Sequence, residues 1–228
     1  MVLKVIDIET TGTSPETDQI IEIAAVEVTR GGIGEQMTRL IKPTIPIPPE
    51  ASAIHHLTDE DVADARPVEE IMPLFAGCDT GIAHNAEFEE SFLKTWMPNV
   101  TWVCTYKCAL RVWPDFPAHS NQALRYRLGL GSPFGKDRKS LDPHRALDDC
   151  IVTAAIFHEI IKIAKWPDLV RWSREPPLLT RMNFGKHFGK RWDEVEEDYL
   201  RWILDKMTDN KTALFNAAYW LDQRKARG

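Results

Sequence analysis

Short apolar runs separated by turn-forming residues open the chain. Residues 2–9 read as a buried strand, and the turn-rich stretch 10–18 with Gly12 and Pro15 ends it. Residues 20–29 are apolar, with Glu22 and Glu27 interspersed, and form a second strand; Gly31-Gly32 turns the chain into a third over 35–42. Turn-linked strands of this kind predict an antiparallel meander. Pro43, Pro46, Pro48 and Pro49 then impose an extended path, and Thr58-Asp59-Glu60-Asp61 has the acid-rich start of a short helix. Further on, 81–84 and 100–105 read as strands. Segments 67–76, 86–96, 106–113 and 121–128 read as helices, 129–143 as a loop rich in Gly, Lys and Arg, and 145–165 as a long helix. Strands first, then strand–helix alternation, predict an α/β fold with a mixed sheet flanked by helices.

The pattern changes after residue 165. Trp166-Pro167 and Glu175-Pro176-Pro177 punctuate the chain, and five of its eight tryptophans follow that point. The expected division is a main domain over 1–165 and a small C-terminal α+β module over 166–228. The module begins with a Phe-Gly-Lys echo at Phe184–Lys190, placed on a hairpin, followed by amphipathic helices over 199–207 and 213–224. Lys186, Lys190 and Arg191 interleave there with Phe184, Phe188 and Trp192. That arrangement suits aromatic rings stacking on bases while cations meet phosphates, or else the small core that any such unit needs.

Composition narrows the picture by exclusion. A chain of 228 residues can bury a sizeable core, and its hydrophobic 43% and charged 27% are ordinary for a globular protein. No apolar run approaches the ~20 residues of a membrane span, and the first residues lack a secretion-signal layout. Cys78, Cys104, Cys108 and Cys150 show no Cys-x-x-Cys spacing, which argues against a zinc or redox site and for reduced thiols in a cytoplasmic protein. The net charge of −6 weighs against a general polyanion binder. It is uneven: residues 166–228 carry 12 Lys/Arg and 10 Asp/Glu, against 16 and 24 in the remainder.

Three separated segments carry candidate chemistry. On the first strand Leu3, Val5, Asp7 and Glu9 share a face, so two acids about 6.6 Å apart follow two apolar residues. The plain alternative is a strand end emerging into solvent. Gly12 in Thr10-Thr11-Gly12 permits a tight turn and close backbone approach. In the last long helix Asp149 precedes Val152, Ile156 and Ile160 on one apolar stripe, and a carboxylate there needs a partner. A second apolar row through Leu147, Ile151, Ala154 and His158 means periodicity does not separate Asp149 from Asp148, and both acids also suit a helix N-terminus. His144 stands just before that helix and can accept a proton near neutral pH.

The three segments, Asp7-Ile8-Glu9-Thr10-Thr11-Gly12, His84-Asn85-Ala86-Glu87-Phe88-Glu89 and His144-Arg145-Ala146-Leu147-Asp148-Asp149, resemble the motifs of the DEDDh exonuclease family in order and spacing. Ile41-Lys42-Pro43, and Ala53-Ile54-His55-His56-Leu57-Thr58, look like that family too. A closer likeness to one branch runs into the tail through Phe184-Gly185-Lys186 and Tyr199-Leu200-Arg201-Trp202. The resemblance implies a ribonuclease-H-like α/β fold and 3′→5′ removal of 5′-mononucleotides from single-stranded or duplex DNA ends. It selects Asp149 over Asp148. It also implies two Mg²⁺ ions, for which Mn²⁺ can substitute, held by Asp7, Glu9, Glu89 and Asp149, with His144 as the base. Thr10, Thr11, Gly12, Thr13, His55 and Asn85 are expected to seat the terminal nucleotide, and Lys107, Arg111, Ser120 and Asn121 to meet phosphates. The chain departs from the family at Glu89, where aspartate is usual; the extra methylene shifts the carboxylate by about one bond length, which leaves three outcomes open: binding through a shifted helix, a preference for Mn²⁺ over the stricter Mg²⁺, or an impaired enzyme. Rival readings are an RNA-trimming enzyme, a polymerase-associated proofreading subunit, and a catalytically impaired nucleic-acid-binding module.

Overall fold

The computed structural model describes residues 2–137 and 141–226. Residues 138–140 of the expected basic loop lie outside the described residues. Five strands form one sheet: β1 (Leu3–Thr10), β2 (Ile20–Thr29), β3 (Gly32–Leu40), β4 (Thr80–Ala83) and β5 (Thr101–Cys104). Their order is β3-β2-β1-β4-β5. The first three strands are antiparallel, while β4 runs parallel to both β1 and β5. This is a ribonuclease-H-like mixed sheet. Strand β1 sits at its centre because both of its faces are apolar: Val5 packs into one layer, Ile6 and Ile8 into the other.

Nine α-helices occur among the described residues: α1 (Pro49–His55), α2 (Val68–Phe75), α3 (Ala86–Leu93), α4 (Thr105–Val112), α5 (Asn121–Arg127), α6 (Ala146–Ile160), α7 (Trp166–Arg174), α8 (Glu197–Lys206) and α9 (Lys211–Lys225). None is long and apolar enough to cross a membrane. Helix α6 covers the Val5 face, joined by Ala24, Val26, Ile82 and Val103 from the strands. Helices α2 and α3 cover the other face through Ile71, Met72, Phe75 and Leu93. Gly81 of β4 lies opposite Trp102 of β5, and a Cβ there would sit 2.7 Å from the indole. Glycine therefore admits the largest side chain of that layer.

Three local expectations are corrected. Residues 58–64 form turns, not a helix; Asp61 accepts hydrogen bonds from the Thr58 backbone N–H and hydroxyl at 2.7 Å each. The helix comes earlier, as α1, where Pro49 occupies a first-turn position that has no need of an N–H. The long helix expected over 145–165 ends at Ile160, and α7 begins at Trp166. The hairpin around Phe184 is a loop closed by an isolated bridge, Arg181 to Arg191, and no strand follows β5 among the described residues.

Helix α7 lies beyond the expected division at 165, yet its Leu169 is buried in the α6 layer. A separate apolar cluster, with Met182, Trp192, Leu200, Ile203 and Ala217, begins further along. The two are fastened at Arg111 of α4. Its guanidinium ion-pairs with Glu175 and lies 5.6 Å, 5.7 Å and 5.9 Å from the ring centres of Trp172, Phe215 and Tyr219. Arg191 adds a second tie to Asp115 at 2.8 Å. An aromatic cage around a partly desolvated cation is worth more than an exposed ion pair. Arg111→Ala is therefore expected to lower stability by about 2 kcal/mol and to speed proteolysis between α7 and α8. Urea denaturation and timed trypsin digestion read this out; unchanged values in both would remove the cage as the fastening.

Candidate active site

The strand-parity argument holds in space. Asp7 and Glu9 project on the α6 side of β1, and Asp149 stands in the first turn of α6. One carboxylate oxygen from each of Asp7, Glu9 and Asp149 lies within 4.8 Å of the others. Helix α6 is held over the sheet by its apolar stripe and by Cys150, whose Sγ–H reaches the carbonyls of Val5 (3.6 Å) and Ala24 (3.5 Å). Asp149 accepts hydrogen bonds from the backbone N–H of His144 (2.8 Å) and from Gln122 Nε2 (3.3 Å). Asp148 instead accepts from the Asp142 N–H at 3.0 Å, bracing the preceding loop. Three-dimensional packing thus separates two acids that periodicity left together.

Glu89 comes from the other side of the sheet. It lies in the first turn of α3, 4% exposed, and its Oε2 has no hydrogen-bond partner among the described residues. It stands outside the compact trio but bears on Asp7. Burial pushes the Asp7 carboxyl well above the usual carboxylate range; among neighbouring charges Glu89 adds most, followed by Asp149 and Glu9. Glu9 is pushed up to about 8 by burial and then by Asp149, with Arg145 opposing. Burial likewise raises Glu89 to about 8. Asp149 is raised by burial as well, against the His144 N–H bond. Four carboxyl groups of this kind cannot all be ionised without added positive charge. The orphaned Glu89 oxygen and the all-oxygen donor set fit hard divalent cations.

Glu22 was noticed in the sequence only as an acid within a strand. It is 3% exposed and sits directly opposite Glu9 in the β1–β2 register. Arg145 donates to it from Nε (3.2 Å) and Nη2 (3.0 Å), and the Ala146 N–H adds a third bond at 3.2 Å. The pair ties the start of α6 to β2. The available signal was the lone acid in Ile20-Ile21-Glu22-Ile23. His84 is also structural: its Nε2–H donates to the His119 carbonyl (2.8 Å), Nδ1 faces the Thr105 hydroxyl (2.9 Å), and burial lowers it to about 4, so it is neutral.

His144 is exposed and has φ 62, the left-handed region that a non-glycine residue rarely adopts. Its backbone N–H, donated to Asp149 at 2.8 Å, ties this residue to that acid. Thr10, Thr11, Gly12, Thr13 and His55 line one cavity of about 320 Å³ next to Glu9, together with Pro48, Ala51, Ile54 and Phe88. Gly12 is required there, since a Cβ would come within 2.5 Å of the Asp18 carboxylate, which itself binds the Ser14 N–H at 2.8 Å. The Leu57 N–H donates to His55 Nδ1 (3.0 Å), so the proton sits on Nε2, which is buried near the Thr10 backbone. Asn85 is exposed at the start of α3. Ser120 caps α5 through the Ala123 N–H, and Asn121 donates to Thr153 Oγ1 (2.7 Å) behind Asp149.

Two expected phosphate contacts are corrected. Lys107 is buried, with Nζ on Glu87 (2.6 Å) and the Ser173 carbonyl (3.0 Å). Arg111 is enclosed in its cage. Both cations are committed to internal partners contributed by distant segments.

Comparison with known proteins agrees with this geometry. A family profile described as Exonuclease (RNase_T) matches residues 5–157. Exodeoxyribonuclease 10 of Escherichia coli strain K12 is 38% identical over 212 residues, covering 90% of this chain and 91% of that protein. The PolC-type DNA polymerase III of Thermotoga maritima is 36% identical over 189 residues, 79% of this chain but 13% of that much longer protein. A solved structure of Exonuclease X in complex with 5′ overhanging duplex DNA superposes with a TM-score of 0.64 at 35% identity, covering 75% of this chain and 99% of that one. The chain belongs to the RNase_T exonuclease family.

Proposed function

We propose that this chain is a metal-dependent 3′→5′ exodeoxyribonuclease that releases 5′-mononucleotides from DNA ends. The observation that carries the reading is the convergence of Asp7, Glu9 and Asp149 within 4.8 Å, with buried Glu89 bearing on Asp7. The similarity to Exodeoxyribonuclease 10 and to the DNA-bound Exonuclease X supports DNA as substrate.

Asp7, Glu9, Glu89 and Asp149 would hold the cations, Asp7 being the acid on which the other three bear. Two Mg²⁺ ions, or Mn²⁺ in their place, would supply the positive charge that stabilises the attacking and leaving oxygens. The cavity of Thr10, Thr11, Gly12 and Thr13 would hold the terminal nucleotide, with His55 Nε2–H as a donor to it. His144 would take the proton of the attacking water. The water oxygen bonds to phosphorus and the bond from phosphorus to the preceding 3′ oxygen breaks, leaving the phosphate on the released nucleotide. Gln122 and the His144 backbone N–H orient Asp149; Arg145 neutralises Glu22 and keeps it from competing as a ligand.

End-labelled DNA and RNA oligonucleotides of one sequence test the reading directly. Stepwise 3′ shortening of DNA with Mg²⁺, lost by at least a hundredfold in Asp7→Ala, is the expected result. Faster shortening of RNA, or binding without cleavage in either Mg²⁺ or Mn²⁺, would overturn the DNA-exonuclease assignment.

Glu89 makes a separate expectation. Its longer arm fits a larger, less strictly octahedral ion, so wild type should prefer Mn²⁺ and Glu89→Asp should raise Mg²⁺-supported turnover about tenfold. An unaltered Mg²⁺/Mn²⁺ ratio in that variant would remove the role assigned to the extra methylene.

Stability of the metal-free protein should depend on pH in a defined sense. Glu9 and Glu89 are raised from 4.5 to about 8 in the folded state, so the folded chain binds more protons than the unfolded one between those values. Their stabilising contribution is complete below pH 4.5 and is lost as pH rises through about 8. Metal displaces the same protons. Mg²⁺ at about 100 times its Kd should therefore raise the Tm by roughly 5–10 °C in alkaline solution and by much less near pH 5. Calorimetry with and without EDTA measures this, and an increment that does not vary with pH would contradict it.

A further inference from the structure

Segment 181–191 stands out in a chain of net charge −6, because it carries Arg181, Lys186, Lys190 and Arg191 and no acid. The fold divides the aromatics interleaved with them. Trp192 is fully buried and Phe184 packs edge-on against it, 6.0 Å between ring centres, inside the C-terminal core. Phe188 goes the other way. It is 75% exposed, more than any other exposed large apolar side chain among the described residues.

Looseness does not account for that exposure. The loop is closed by the Met182 N–H on the Lys190 carbonyl (2.9 Å), the Gly189 N–H on the Met182 carbonyl (2.8 Å) and the Lys190 N–H on the His187 carbonyl (3.0 Å). Gly185 has φ 64, and a Cβ on it would lie 2.6 Å from the Tyr199 hydroxyl, so the loop is seated directly on α8. There His187 meets Tyr199 edge-on at 4.5 Å, and Tyr199 stacks on Trp202 at 5.2 Å and 18°. Trp202 is 46% exposed. Lys186 Nζ stands 4.8 Å over the Tyr199 ring. Glu196 ion-pairs with Lys190 (3.0 Å) and lies 3.1 Å from His187 Nε2, but Lys186 has no ion pair among the described residues.

We propose that Lys186, Phe188, Tyr199 and Trp202 form a stacking platform for an unpaired strand of the DNA engaged at the active site, an inference that rests on the nuclease reading. Unpaired bases offer free faces to aromatic rings whatever their sequence, and Lys186 meets the phosphates between them. Paired bases hide those faces inside the duplex. The platform also has a fixed place. Arg191 bonds Asp115 at 2.8 Å, and the chain runs from Asp115 into α5, where Gln122 reaches Asp149. The segment that buttresses a proposed metal ligand is thus also the one to which the platform loop is fastened.

The test uses the full chain carrying Lys186→Ala and Phe188→Ala together. Affinities are read by fluorescence anisotropy on an oligo-dT of roughly 20 nucleotides and on a blunt duplex of the same length. Both chains carry Asp7→Ala in these titrations, so the DNA survives. Turnover of a dinucleotide is measured with Asp7 restored. The Kd for oligo-dT should weaken about tenfold, while the duplex Kd, dinucleotide turnover and Tm stay unchanged. An unaltered oligo-dT affinity would overturn the platform. An equal loss on the duplex would overturn it too, since it would show only lost charge. Failure of the wild-type chain to cleave any substrate would instead count against the nuclease reading, and the binding titrations would still report on the platform.

Discussion

The structure is organised around a repulsion. Asp7, Glu9, Glu89 and Asp149 converge in a partly water-excluded pocket, with Glu22 close enough to add to the field at Asp7 and Glu9. Two like charges 4 Å apart near a protein surface oppose one another by about 4 kcal/mol, and several such pairs coexist here. The chain relieves the fifth acid itself, through Arg145 and the Ala146 N–H on Glu22. Among the described residues it provides no comparable cation for the other four. Their carboxyls are therefore held in a state that protons or metal ions can stabilise, and the two compete.

The sheet makes such a convergence possible. β1 is the strand at which the pairing changes from antiparallel, with β2, to parallel, with β4. Because β1 and β4 run the same way, Glu9 and the start of α3 emerge at the same edge. That is where open α/β sheets gather their functional groups. Helix α6 then approaches from one face with Asp149, and α3 from the other with Glu89. Asp7 lies between them on the central strand, which accounts for its place in both halves of the cluster.

Much of this was legible because it depends on local periodicity. Strand parity placed Asp7 and Glu9 on one face, and the apolar run 20–29 became β2 with those bounds. The rest depended on partners far away in sequence. Helix periodicity could not separate Asp148 from Asp149, because α6 is apolar on most of its surface and only Asp142, His144 and Gln122 distinguish the two. Lys107 and Arg111 looked like phosphate donors, but their partners Ser173, Glu175 and Phe215 lie in segments that no local pattern connects to α4. Four prolines concealed α1, since the same residue that extends a chain can also begin a helix. Glu22 was conspicuous, yet its counter-ion lies more than 120 residues away.

The proposed base differs from the proposed ligands in the way it is held, and chemistry explains the difference. Cation ligands must keep their geometry through a reaction, so they belong on strands and helices; Asp7, Glu9, Glu89 and Asp149 all do. A base has to lose its proton to solvent after every turnover. Burial would work against that by driving an imidazole toward permanent neutrality, as it does for His84. His144 stands exposed to solvent just before α6, where proton exchange with water is open to it. The left-handed backbone there is costly for a residue with a side chain, and the Asp149 carboxylate offsets that cost by accepting the His144 N–H. One hydrogen bond thus couples the proposed base to a proposed ligand, so that a movement of the loop is felt at the acid cluster.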